Sequence, residues 1–130
     1  MELGRIGVWL GPLSLRSAAE TRAFAPELEG LGYSAIWFGE GVGTKECFTQ
    51  AATLLASTEN AVVATGIANL YARDPMATAN GARTLADAYP GRAPVVLYHT
   101  LELPAKVDPS RASARLVDGL FKLELPKVER

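Results

Sequence analysis

Glu40 stands among three glycines in Trp37-Phe38-Gly39-Glu40-Gly41-Val42-Gly43, directly after a short apolar run. A carboxylate at the C-terminal end of a strand can face a ligand pocket as a polar or acid/base group; otherwise it is a solvated loop acid. The glycines fit neither G-x-G-x-x-G nor G-x-x-x-x-G-K-[ST], and Lys45 follows Thr44 rather than preceding a Ser or Thr. Turn flexibility explains them better than a phosphate loop does. Gly66 interrupts an apolar, β-branched run. Such a glycine marks either a bulge where a ligand approaches the backbone or tight packing against a helix. Asn69 and Arg73 lie in the loop that follows. Asn69 can hydrogen-bond a ligand or cap the local turn; Arg73 can bind an anion or pair with Asp74 or Glu40. His99 and Cys47 are the sole histidine and the sole cysteine. His99 is a proton donor or a structural side chain. Cys47, early in a helix but without a histidine partner, reads better as a small buried residue than as a nucleophile. One His and one Cys make a poor ligand set, so no metal is expected.

Four strand-like runs and the helices between them must position these groups. Arg5 to Leu10 alternates Ile6, Val8 and Leu10 with Gly7 and Trp9. Ser34 to Phe38 is short and apolar, Ala61 to Ile67 is apolar throughout as in a strand buried on both faces, and Pro94 to Thr100 is the fourth. Their centres are about 28 to 31 residues apart, the length of a strand–helix unit. The first helix opens on Ser17 with Glu20 three residues on, a capping box, and Gly32 stops it. Phe24, Leu28 and Leu31 share one face, and Pro26 predicts a kink or a break. The second runs from about Glu46 to Ser57 with Phe48, Ala52 and Leu55 inward. The third has Asp74 as N-cap and Pro75 in its first turn, an inner stripe of Ala79, Ala82, Ala86 and Tyr89, and Pro90-Gly91 at its end. A fourth helix is expected after Asp108-Pro109, with Ala112, Leu116, Leu120 and Leu123 in register. Strands alternating with helices imply parallel pairing and right-handed crossovers.

The 130 residues are 48% hydrophobic and 21% charged, with a formal net charge of -1. That composition fits a globular chain, and the interspersed charges and lack of a Lys/Arg run speak against nucleic acid. Met1-Glu2-Leu3-Gly4-Arg5 lacks a signal-peptide pattern, and no apolar run approaches the roughly 20 residues of a membrane span. A single cysteine excludes an internal disulfide and suits a reducing compartment, so a cytoplasmic location is expected.

Arg5-Ile6-Gly7-Val8-Trp9, Leu31-Gly32-Tyr33-Ser34-Ala35-Ile36-Trp37, Ala64 to Pro75, Leu85-Ala86 and Pro90-Gly91-Arg92 are the words that carry a family resemblance. In this order and spacing, residues 5–92 resemble the amino-terminal part of the luciferase-like monooxygenase superfamily. The similarity is strongest to its branch of probable deazaflavin (coenzyme F420) dependent oxidoreductases. The resemblance implies a TIM barrel and a flavin or deazaflavin at the C-terminal ends of the strands. F420 is the cofactor expected and FMN the alternative, with hydride transfer to or from a small organic substrate. It implies a non-proline cis peptide at Gly66-Ile67 backing the ring. Gly66, Ile67 and Asn69 are then cofactor-binding residues, and Glu40 a catalytic group near the ring.

From Ala93 the chain departs from the family pattern, so His99 receives no role. The expectation is an α/β fold, a partial TIM (β/α)8 barrel of about four parallel strands with alternating helices. Residues 1–92 would form it, and 93–130 a divergent segment of a strand and a possible helix. A barrel needs about 200 residues, so the chain supplies roughly half and reads as truncated or frameshifted. Open edges at the first and fourth strands suggest a homodimer closing one barrel. The competing readings are an inactive remnant or subunit lacking a complete cofactor site, and an unrelated doubly-wound, flavodoxin-like binding module with out-of-sequence strand order.

Overall fold

Alternation of period two and period 3.6 along the chain produces a strand–helix series in which each strand lies beside the one before it. The computed structural model describes residues 4–94, 97–98, 106–117 and 120–128. It divides into two compact units, Met1–His99 and Thr100–Arg130. In the first unit, β1 (Gly7–Trp9), β2 (Ala35–Phe38) and β3 (Val62–Thr65) form a parallel sheet in the order β1-β2-β3. After Gly66 and Ile67 the chain resumes as β4 (Ala68–Asn69), which pairs in parallel with β5 (Leu97–Tyr98). Four strand positions therefore run in sequence order, the arrangement of a partial barrel. The out-of-sequence order of a doubly-wound module is absent from the described residues.

The strands are amphipathic in a way that uses both faces. Ile36, Phe38 and Val63 sit under the helices, in a core shared with Leu13, Ala25, Leu28, Leu54 and Leu55. The alternate residues, Gly7, Trp9, Trp37 and Gly66, share the opposite face, where a Cβ on Gly7 would lie 3.4 Å from Trp37 Nε1.

Helix α1 (Ala18–Gly30) carries the expected capping box: Ser17 Oγ accepts from Glu20 N at 3.2 Å and Glu20 Oε2 from Ser17 N at 2.8 Å. Gly32, at φ +91°, stops it. The helix passes through Pro26 unbroken. Pro26 and Arg22, whose carbonyl loses its intrahelical donor, both lie on the exposed side, where water can serve that carbonyl. Leu31 is 75% exposed, so the buried stripe is Thr21, Ala25 and Leu28 with Phe24 beside it.

Helix α2 (Cys47–Leu55) buries Cys47, Gln50, Ala51, Leu54 and Leu55, a face rotated from the one expected; Phe48 and Ala52 flank it. In α3 (Pro75–Ala88) the stripe is also displaced. Thr78 and Leu85 are buried while Ala79 and Ala86 are exposed. The reason is Gly81: a Cβ there would lie 2.6 Å from the Phe48 ring, so this face of α3 is pressed against α2. A one-turn 3-10 segment, Gly11–Leu15, also follows β1 and buries Leu13.

The expected fourth helix is not formed. In the second unit, Asp108 caps a 3-10 turn at Pro109–Arg111, and β6 (Ser113–Val117) pairs antiparallel with β7 (Leu120–Glu124). Leu116 pairs with Phe121 and Ala114 with Leu123 in this register. A short leucine-rich run satisfies period 3.6 and period 2 alike. Asp118-Gly119 between the two runs is the overlooked signal, since that dipeptide favours a two-residue hairpin.

Candidate functional site

The C-terminal ends of β2 and β3 are tied together by one carboxylate. Glu40 Oε2 accepts from Asn69 N at 2.8 Å and Arg73 Nη1 at 2.8 Å. Its Oε1 accepts from Cys47 N at 3.1 Å and from Arg73 Nη2. The Glu40 backbone N–H donates to Ile67 O at 3.1 Å. The pair is bidentate and buried, with the two side chains 7% and 8% exposed. Burial opposes the charge on Glu40, but the Arg73 guanidinium and the two backbone N–H groups outweigh it and hold the carboxyl below its ordinary range. Glu40 is thus a fixed anion with both oxygens engaged. A proton on it would have to displace four donors.

Arg73 resolves its two readings in favour of pairing. Besides Glu40 it donates to Glu46 Oε1 at 2.8 Å and lies 5.0 Å from the Phe48 ring centroid. Glu46 was not singled out by sequence. It is the N-cap of α2, accepting from Phe48 N and Thr49 N; an acid just before an apolar helix was the available signal. The ligand atoms of Glu40, Glu46 and Cys47 lie within 4.8 Å of one another. The cation among them is the Arg73 guanidinium, and burial, with the nearby Glu40 and Glu46 charges, pushes the Cys47 thiol up to about 12. Cys47 is completely buried and protonated at neutral pH.

Around these groups lies a cleft of about 600 Å³ walled by Glu40, Thr44, Glu46, Phe48, Asn69 and Arg73. Asn69 caps the turn, its Oδ1 accepting from Tyr71 N at 2.9 Å, and also borders the cleft. Gly66 and Ile67 do not line it. Gly66 lies against Trp9, and the backbone ties both residues to the end of β2: Gly66 N donates to Phe38 O at 2.6 Å, Ile67 O accepts from Glu40 N, and the Gly66–Ile67 peptide is cis, the bond the resemblance implied. Trp9 Nε1 donates to Gly66 O at 2.9 Å. Trp9 entered the sequence reading as a strand residue and in one of the words that carry the family resemblance, with no site role. Its signal was a large aromatic on a strand whose neighbours end in Gly39 and Gly66, each two residues beyond the residues level with it, Trp37 and Ala64. His99 lies outside the described residues.

Parallel strands in sequence order, covered by helices on one face and carrying polar groups at their C-terminal ends, define the amino-terminal arc of a (β/α)8 barrel. The family model of the luciferase-like monooxygenases matches residues 2–98, and the chain belongs to that family. Among solved structures, it is similar to the coenzyme F420 dependent tetrahydromethanopterin reductase of Methanopyrus kandleri. The likeness has a TM-score of 0.61 and 22% identity over 71% of this chain, and it is a likeness of fold. The chain spans 26% of that reductase's length. No curated protein matches it. No helix among the described residues is long and apolar enough to cross a membrane.

Proposed function

We propose that the chain carries the amino-terminal wall of a flavin- or deazaflavin-binding oxidoreductase site, with F420 as the preferred cofactor and FMN the alternative. The observation that carries the reading is the backbone at the end of β3. Gly66 has no side chain, its carbonyl is oriented by Trp9, and the following residue is hydrogen-bonded to Glu40. Such a surface suits a flat ring, which needs close approach to the main chain. Gly66 and Ile67 would back the ring and Asn69 would meet its edge or the substrate. Glu40 and Arg73 would hold the two loops at fixed separation. When bound, the cofactor supplies or takes up a hydride; the protein's part is to bind and orient the ring and to exclude water.

Membership of the luciferase-like monooxygenase family supports this reading, as does the reductase's place among the structures of similar fold. The test is equilibrium binding of oxidised and reduced F420 and FMN to the full chain, followed by ultrafiltration and calorimetry. Retention of either ring with a dissociation constant in the micromolar range, roughly −8 kcal/mol, is expected. Retention of neither overturns the proposal. It would favour the reading of a subunit without a complete site.

A further inference from the structure

We infer that the free face of the Trp9 indole is a stacking surface for the flat ring, so that this strand residue is a cofactor contact in its own right. The inference rests on the cofactor reading above and extends it to a residue outside the strand-end loops.

Trp9 is 59% exposed, as are several scattered apolar side chains. Single exposed hydrophobics are ordinary on protein surfaces. What sets Trp9 apart is that its ring is held in one orientation beside the proposed shelf. Its Nε1 donates to Gly66 O, 57 residues away in sequence, at 2.9 Å. Three glycines adjoin it. A Cβ on Gly66 would stand 3.0 Å from Nε1, one on Gly11 3.0 Å from Cζ3 and 3.1 Å from Cη2, and one on Gly39 3.6 Å from Cζ2. The indole therefore lies against main chain from three segments, with no side chain at those glycines to lift it. Its remaining surface is open on the face of the sheet that the helices do not cover. A Trp with its polar edge satisfied, its orientation fixed and much of its apolar surface uncovered is preorganised to receive a second flat π system. The cleft by Arg73 offers a competing position for a ring. The Arg73 guanidinium that walls it, however, already carries two carboxylates.

The experiment uses FMN and a 5-deazaflavin as probes on the full chain. Ring retention is measured by ultrafiltration and contact by the ring's own emission and long-wavelength absorbance. In the wild type, binding should quench FMN emission and add an absorbance shoulder, as van der Waals contact with an indole does. Trp9→Leu should weaken binding about tenfold and restore the emission of the ring that still binds. Trp9→Phe keeps an aromatic face and guards against a leucine variant that merely misfolds; it should bind within about threefold of wild type. Trp37→Phe should keep the quench. Unchanged affinity and quench in Trp9→Leu would overturn the inference while leaving the cofactor reading standing. So would a tenfold loss in Trp9→Phe, which would make the Nε1 bond and not the ring face responsible. If the wild type retains neither ring, the cofactor reading fails and this inference falls with it.

Discussion

The two ends of the parallel sheet are both closed by a glutamate and an arginine, yet they are wired differently. At the N-terminal end of β3, Glu29 accepts from the backbone N–H groups of Glu59, Asn60 and Ala61 at 2.8, 2.5 and 2.8 Å. Arg92 donates to the carbonyls of Ala61 and Thr58, each at 3.0 Å, and to Thr58 Oγ1 at 2.7 Å. Both charges there serve mainly backbone, and the cleft that adjoins Glu29, about 280 Å³, is under half the size of the upper one. At the C-terminal end, Glu40 and Arg73 satisfy each other and sit at the wall of the larger cleft. Similar residue types close one end and keep the other shaped but open. That division matches the barrel pattern in which the N-terminal face serves stability and the C-terminal face serves chemistry.

The sharpest way to break this comparison is Arg73→Met. It strands Glu40 as a buried charge, so unfolding in urea should show a loss of about 3 kcal/mol. Ring retention should also fall by more than about tenfold, since 1.4 kcal/mol of lost positioning suffices. Lost stability with full retention would make the upper clamp purely structural. Arg92→Met should cost about 2 kcal/mol by leaving buried carbonyls without a donor. In the folded protein it should leave ring affinity unchanged, which is the contrast to measure.

Acid weakens both clamps. At Glu29 and Glu40 burial opposes ionisation, yet the hydrogen bonds and nearby arginine outweigh it. Both are held below their ordinary value of 4.5. A depressed folded-state value contributes stability that is complete above the unfolded pKa and is lost as pH falls through the folded one. The gap between wild type and Glu40→Gln should therefore be about 1.5 kcal/mol at neutral pH and shrink steadily below pH 4.5. A gap that does not change with pH would show that the charge on Glu40 is not what matters.

Gly81→Ala tests whether the upper end is supported from behind. Its Cβ would meet the Phe48 ring that lies under Arg73, so a loss of about 1 kcal/mol is expected with a small drop in ring affinity. The smallest effect belongs to Arg115→Ala, which removes a 3.0 Å pair with Glu124 in the hairpin, where both side chains are about half exposed. Less than about 0.5 kcal/mol should be lost, by thermal unfolding, with no change in ring affinity.

Local rules reached far into this molecule. The four strand positions, the Ser17–Glu20 capping box, the Asp74-Pro75 helix start and the Gly32 stop were legible because each depends on neighbours a few residues away. The faces of α2 and α3 were less so. Which side of a helix goes inward is decided by what it meets, and Gly81 against Phe48 is a contact across 33 residues. The hairpin at Ser113–Glu124 was missed because six or seven apolar residues suit either period.

The sequence by itself determined that this is a strand–helix series with Glu40, Gly66, Asn69 and Arg73 at strand ends, since periodicity and turn chemistry place residues along a chain. Only the tertiary structure decided what those residues do to one another. It spent Glu40 on Arg73, Asn69 N–H and Cys47 N–H, and it laid Trp9 on Gly66. Apart from Cys47, 7 residues from Glu40, these partners lie 29 to 57 residues apart and are set by how parallel strands come into register, a property of the assembled sheet.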